Sequence, residues 1–244
     1  HFPVTTEYIS GTKYDMEAMR KQYCVQIATD ARHTTLASHR TKGFRGAQHA
    51  SCGNGIFFGA LNRFLTTKHI KDDTERKPHK LGKRDIALMR NFKCSPDQVM
   101  TDDPTLTNVH IDGAYVSIEG IDPDATADIE GFKWYPGVAV RLTREFVDSV
   151  FTQAPQDLKE RLYRSFMVSA PQGEGTGEAY KKPGAGMSGA PVFMVHNGER
   201  VLAGMQYAMS SYTDPQSGMS YDIAFFHGIE EIREQVQEDI RTGA

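Results

Sequence analysis

Residues 183–193 read Pro183-Gly-Ala-Gly-Met-Ser-Gly-Ala-Pro-Val-Phe, and this stretch separates the fold classes open to the chain. Its glycines surround one serine, Ser188, with residues suited to a tight, exposed backbone turn. Gly186 reaches backbone angles denied to other residues and lets a bound molecule approach closely. The amides of Gly186 and Ser188 can therefore converge on a developing oxyanion. Pro191 then opens an apolar strand that ends at Asn197-Gly198, a dipeptide that favours two-residue hairpin turns. A nucleophile elbow between a strand and a helix needs Gly-x-Ser-x-Gly, whereas position 190 is Ala and a strand follows. The same composition also fits a glycine-rich hairpin with an incidental serine, so the stretch needs partners elsewhere in the chain.

A serine hydroxyl is a poor nucleophile near neutral pH unless a base lies within hydrogen-bond reach and a third group fixes the tautomer of that base. Phe64-Leu-Thr-Thr-Lys-His-Ile offers His69 as that base, preceded by the hairpin-like Gly53-Asn-Gly-Ile-Phe-Phe-Gly. Downstream, Arg84-Asp-Ile-Ala-Leu-Met places Asp85 at the opening of a short apolar strand. A histidine taken alone is more commonly structural, and Asp72, Asp73, Asp102 and Asp103 remain alternative orienters.

Together these segments resemble the chymotrypsin-like serine peptidases, in a bacterial or viral type of branch. The Gly-x-Ser-Gly-x-Pro pattern of residues 186–191 is similar to that family's nucleophile loop. The segment ending at His69 is similar to its histidine strand, and the chain order His69, Asp85, Ser188 is that of the family and of neither subtilisins nor α/β-hydrolases. The resemblance implies a mainly β fold of two antiparallel β-barrels with a helical insertion and a C-terminal helix. It implies a serine endopeptidase acting on protein or peptide substrates through an acyl-enzyme on Ser188, with no cofactor and no metal. His69 would be the base, Asp85 its orienter, and the Gly186, Met187 and Ser188 loop the oxyanion hole.

The departures are informative. The His69-to-Asp85 interval is only 16 residues, so a hairpin of the first barrel is expected to shrink to the charged stretch 71–84. Met187 stands where trypsin-type members carry the aspartate that pairs with a freshly cut N-terminus, so activation by that salt bridge is not expected. Ile70 follows His69 and gives Cys52 no bridging partner there. By offset from Ser188, Lys182 falls near the floor of a primary substrate pocket and Gln206 with Tyr207 near a wall, with Asp222 approaching from the closing strand. Lys181 and Lys182 also read as solvated loop charges, and no residue preference follows. A binding module that keeps the barrels without turnover is the alternative from another class.

Strand-like composition recurs at 23–28, 55–59, 63–69, 85–89, 114–119, 138–142, 165–169, 190–195, 201–209 and 221–226, which points to a barrel or sandwich. Helical patterns cover 143–163 and 228–241, the latter setting Ile229, Ile232 and Val236 at helical spacing, and a short helix is expected near 14–22. The expected organisation is an arm at 1–19, a first barrel at 20–105, a second at 106–227 and a helix at 228–244.

With 244 residues the chain can bury a core without covalent staples. Its 39% hydrophobic and 24% charged residues suit a soluble folded protein. A net charge of −3 gives no general attraction to nucleic acid or anionic membrane. No apolar run approaches the roughly 18 residues of a membrane span. Cys24, Cys52 and Cys94 allow at most one bridge and read as small buried hydrophobes, pointing to a reducing compartment. Opening on His1, the chain reads as a fragment trimmed or released from a precursor or polyprotein, so a targeting segment would lie upstream. Residues 68–84 hold seven Lys or Arg against three Asp or Glu without interleaved aromatics, and read as a solvated loop rather than a base-stacking surface. His33 and His39 fit no metal-ligand spacing with the cysteines, and the sequence contains no His-Glu-x-x-His.

Overall fold

The computed structural model describes residues 24–28, 36–38, 52–58, 63–74, 77–78, 81–89, 106–121, 132–171 and 187–243. The expected arm at 1–19, the helix near 14–22, Cys94, Asp102, Asp103, Lys182 and Gly186 lie outside these residues.

The described chain is mainly β. Strands β1 (Cys24–Ala28), β2 (Leu36–Ser38), β3 (Cys52–Phe58), β4 (Arg63–Thr66) and β5 (Ala87–Met89) pair antiparallel in the order β2-β1-β3-β4-β5. Seven more strands follow: β6 (Tyr115–Ile121), β7 (Phe132–Val138), β8 (Val140–Arg141), β9 (Ser165–Pro171), β10 (Pro191–His196), β11 (Glu199–Thr213) and β12 (Ser220–Gly228). They form one antiparallel sheet in the order β7-β6-β10-β11-β12-β9-β8, and because β7 also touches β9, the sheet curls into a nearly closed barrel.

Local chemistry explains the joints. Asn197 (φ 52°) and Gly198 (φ 76°) both occupy the left-handed region, as a two-residue hairpin turn requires, and they set the pairing of His196 with Glu199. The strand expected at 138–142 is displaced: the main run is β7, and only Val140–Arg141 resumes pairing, with β9. Ala139 interrupts the run, its N–H donating to Ala114 O and its carbonyl accepting from Gly113 N. Pro136 lies within β7, which stands at the edge of the sheet order, where a missing N–H costs no ladder bond.

The single helical pattern expected over 143–163 is two helices, α2 (Arg144–Val150) and α3 (Gln156–Leu162), in numbering that takes α1 as Lys68–Thr74. Thr143 caps α2, its Oγ1 accepting from Phe146 N at 3.1 Å. Pro155 stands at the start of α3 and disfavours helical angles at the preceding residue, which separates the two. The pair covers the outer side of the barrel, packing Leu142, Val147 and Leu162 with Met167, Tyr207, Ile223 and Phe225.

The main core joins both sheets: Ile56, Leu65, Ile86 and Leu88 meet Val116, Ile118, Val192, Met205 and Phe226. The C-terminal helix α4 (Ile229–Thr242) seals it with Ile229, Ile232 and Val236, and Gly243 at φ 76° ends the helix. Each such fully buried aliphatic or aromatic side chain contributes about 1.5–3 kcal/mol over an exposed one. The solvated loop expected over 68–84 is corrected in two places. Residues 68–74 are α1, and Arg84 is tied to α4 through Glu231 and Glu234, because the carboxylates on that helix face align with its guanidinium.

Candidate active site

The histidine segment is built by its two threonines. Thr66 ends β4 with its hydroxyl donated to Asn54 O at 2.7 Å, and Thr67 starts α1 with its Oγ1 accepting from Ile70 N at 3.4 Å. His69 is therefore the second residue of the helix, where backbone N–H groups have no intrahelical acceptor. Asp85 supplies one: its Oδ1 accepts from His69 N at 3.0 Å, and its Oδ2 pairs with His69 Nδ1 at 2.5 Å. The carboxylate is buried while the imidazole keeps 22% of its side-chain surface exposed. Two oxygens thus fix one residue at both backbone and ring, placing the proton on Nδ1 and assigning proton exchange to Nε2.

The alternative orienters do not share this geometry. Asp72 is buried and pairs with Lys68 Nζ at 2.5 Å, one helical turn away. The side chain of Asp73 and all of Asp102 and Asp103 lie outside the described residues.

Ser188 sits in a tight turn closed by Ala190 N donating to Met187 O at 3.0 Å. Gly189, at φ +89°, supplies the left-handed step. A side chain there is excluded on a second ground, since a Cβ would lie 1.8 Å from Asn54 O. The turn is bonded to both sheets: Asn54 N donates to Ser188 O at 2.7 Å and Gly189 N to Gln206 O at 2.8 Å. Met187 is buried and Ser188 half-buried.

Gln206 and Tyr207, expected as a pocket wall, have buried side chains. Gln206 bonds the serine turn through its backbone, its N–H donating to Ala190 O at 2.9 Å. Tyr207 is stacked on His227 at 4.1 Å with its hydroxyl 2.7 Å from Ser165 Oγ. Burial pushes the Tyr207 phenol well above its ordinary range. Asp222 is also buried, its carbonyl accepting from Tyr135 OH at 2.9 Å.

His227 is the residue that sequence reading missed. Its Nε2 accepts from Asp85 N at 3.0 Å inside the fold. The alternation Tyr221, Ile223, Phe225, His227 on β12 was the available signal, since it sets a histidine on an apolar face. Burial lowers its pKa to about 3; Asp85 opposes the shift, and Arg161, Arg84 and Arg164 reinforce it. In the unfolded chain the ordinary value near 6.5 returns. Between these values the unfolded state holds the extra proton, so stability is complete above about pH 6.5 and falls below it by up to about 1.4 kcal/mol per pH unit. Guanidinium unfolding from pH 7 down to about pH 4 is expected to show this slope, and His227→Phe should flatten it. Parallel pH curves for the two proteins would contradict a neutral buried His227.

No protein-family model matches the chain, and no curated protein matches it.

Proposed function

We propose that the chain is a serine endopeptidase of the chymotrypsin-like kind, hydrolysing peptide bonds in protein or peptide substrates through an acyl-enzyme on Ser188. The observation that carries this reading is the two-oxygen grip of Asp85 on His69 N and Nδ1. That arrangement orients an imidazole for proton transfer at Nε2.

A short run of bonds supports pairing this base with Ser188. The Ser188 carbonyl accepts from Asn54 N, the Asn54 carbonyl accepts from the Thr66 hydroxyl, and Thr67 caps the helix that carries His69. Nucleophile and base thus hang from the same ends of β3 and β4. In this reading the five-stranded sheet and the barrel-like sheet are the two barrels of the family, and α2–α3 is an insertion in the second.

The chemistry follows from those roles. Ser188 Oγ attacks the scissile carbonyl carbon as His69 Nε2 takes the hydroxyl proton, and the carbonyl π electrons pass to oxygen. The amides of Gly186 and Ser188, on either side of Met187, stabilise that oxyanion. When it collapses, the C–N bond breaks and the amine leaves with the proton from Nε2. Water then attacks the ester with His69 again as base, releasing the acid and restoring the Ser188 hydroxyl. Asp85 stays ionised throughout, holding Nδ1–H and balancing the transient imidazolium.

The test is covalent. A fluorophosphonate probe is expected to label the native protein on Ser188, as read by peptide mass mapping, and to leave heat-unfolded protein unlabelled. An adduct elsewhere, or none, overturns the proposal.

A further inference from the structure

We propose that His227 is a positioning residue for the catalytic pair, its Nε2 holding the backbone of Asp85 so that the carboxylate meets His69 at both N–H groups. The inference rests on the serine peptidase reading and adds to it a residue outside the expected triad.

Asp85 belongs to the segment that leads into β5, so His69 and Asp85 both hang from the five-stranded sheet. That segment is nevertheless held from the other half of the chain. Arg161 of α3 donates to Gly82 O at 3.2 Å, Arg84 is clamped by Glu231 and Glu234 of α4 with Glu238 at 4.0 Å, and His227 at the end of β12 accepts from Asp85 N. Of these contacts only the last touches Asp85 itself. It is also the one that a general ion-pair clamp cannot replace, because it fixes the peptide plane from which the carboxylate projects.

The chemistry of the imidazole argues for an acceptor role rather than for filling space. With Nε2 accepting, the proton sits on Nδ1, which is buried with no hydrogen-bond partner among the described residues. An unsatisfied buried donor opposes folding, so an apolar ring of the same size would pack here at lower cost if packing were the only requirement. The ring is further fixed by stacking on Tyr207, whose hydroxyl is tied to Ser165 Oγ. A protonated His227 would turn Nε2 into a donor facing the Asp85 N–H; burial among Arg161, Arg84 and Arg164 keeps it neutral.

Three variants separate positioning from packing. His227→Phe keeps the flat ring against Tyr207 and removes the acceptor; His227→Gln restores an acceptor oxygen at comparable reach; His227→Asn carries one too short to arrive. Two readouts are taken: the saturating rate of fluorophosphonate labelling at Ser188 with its half-saturating probe concentration, and the low-field proton resonance of His69 Nδ1–H, which needs no turnover. His227→Phe is expected to cut the saturating rate by about 10- to 100-fold, the scale set by a displacement of about an ångström, with half-saturation little changed. Its low-field resonance should move upfield or broaden, and His227→Gln should recover both signals. Where His227→Phe does not fold, His227→Asn against His227→Gln makes the same comparison.

Wild-type rate and resonance in His227→Phe would overturn the positioning role. So would equal losses in the Gln and Asn variants, or a change confined to half-saturation. A wild-type protein that takes up no probe would instead overturn the peptidase reading, which keeps the two failures distinct.

Discussion

Ser188→Ala is expected to fold as the parent does and to lose nearly all hydrolysis, on the order of a million-fold, because the nucleophile of a triad acts as a unit with its base. The structure explains why the fold should survive. The bond that joins the serine turn to β3 uses the Ser188 carbonyl, not its hydroxyl, and remains in the alanine variant. The positive φ of the turn belongs to Gly189, so position 188 tolerates a Cβ with no oxygen on it. The side chain is half-buried, so its replacement leaves no large cavity. The measurement is hydrolysis of a denatured protein substrate by rigorously purified parent and variant, with thermal unfolding recorded alongside. Retained hydrolysis by the variant rejects Ser188 as nucleophile, and loss of parental activity to a metal chelator would direct the assignment to another class of enzyme.

How far the sequence reaches into this architecture follows from the range of the interactions involved. The β10–β11 hairpin was readable because Asn197-Gly198 dictates its own backbone, and α4 because Ile229, Ile232 and Val236 mark a buried stripe within one helix. The contact of His69 with Asp85 was approachable for the same reason: the Thr66-Thr67 pair fixes the start of α1 locally, and an apolar strand anchors the aspartate. β7 runs upstream of the strand expected at 138–142, and its Pro136 is accommodated because β7 stands at the sheet's edge, a fact of sheet order rather than of local sequence. α1 was hidden by its charges, which read as solvent-facing until Lys68 is seen to pair with the buried Asp72.

His227 and Arg84 lay furthest from view. Their partners stand 142 and 147 residues away along the chain, so the alternation on β12 can set His227 on an apolar face but names no partner for it, and nothing beside Arg84 names its partner either. The two halves consequently divide the proposed task unevenly. The five-stranded sheet carries the histidine and the aspartate, and the barrel-like sheet with α3 and α4 supplies the groups that hold the aspartate in place. A site assembled this way depends on the junction of the halves, so loosening the contact between α4 and residues 82–85 should disturb the orientation of His69 before it disturbs either sheet.

Asp85→Asn tests that orientation at its centre. The wild-type carboxylate offers two acceptors to two donors of one residue, His69 N–H at 3.0 Å and Nδ1–H at 2.5 Å. An asparagine side chain has one acceptor oxygen and one donor amide in the same space. If the oxygen keeps the backbone N–H, the amide faces Nδ1 and forces that nitrogen to accept, moving the imidazole proton to Nε2. The base is then protonated on the nitrogen that should take the serine proton. The alternative flip restores Nδ1–H but sets two donors against each other at the helix backbone, an unsatisfied buried donor that opposes it. Turnover near neutral pH is therefore expected to fall by about four orders of magnitude with the shape preserved, the signature of a wrong tautomer rather than of a lost fold. Asp72→Asn removes the charge that pairs with Lys68 and should cost far less, as should the same change at Asp73, Asp102 or Asp103. Kinetics of the five variants, each checked by circular dichroism, decide the matter. Near-parental activity in Asp85→Asn with collapse in one of the other four moves the orienter to that residue, leaving His69 and Ser188 as the surviving assignments.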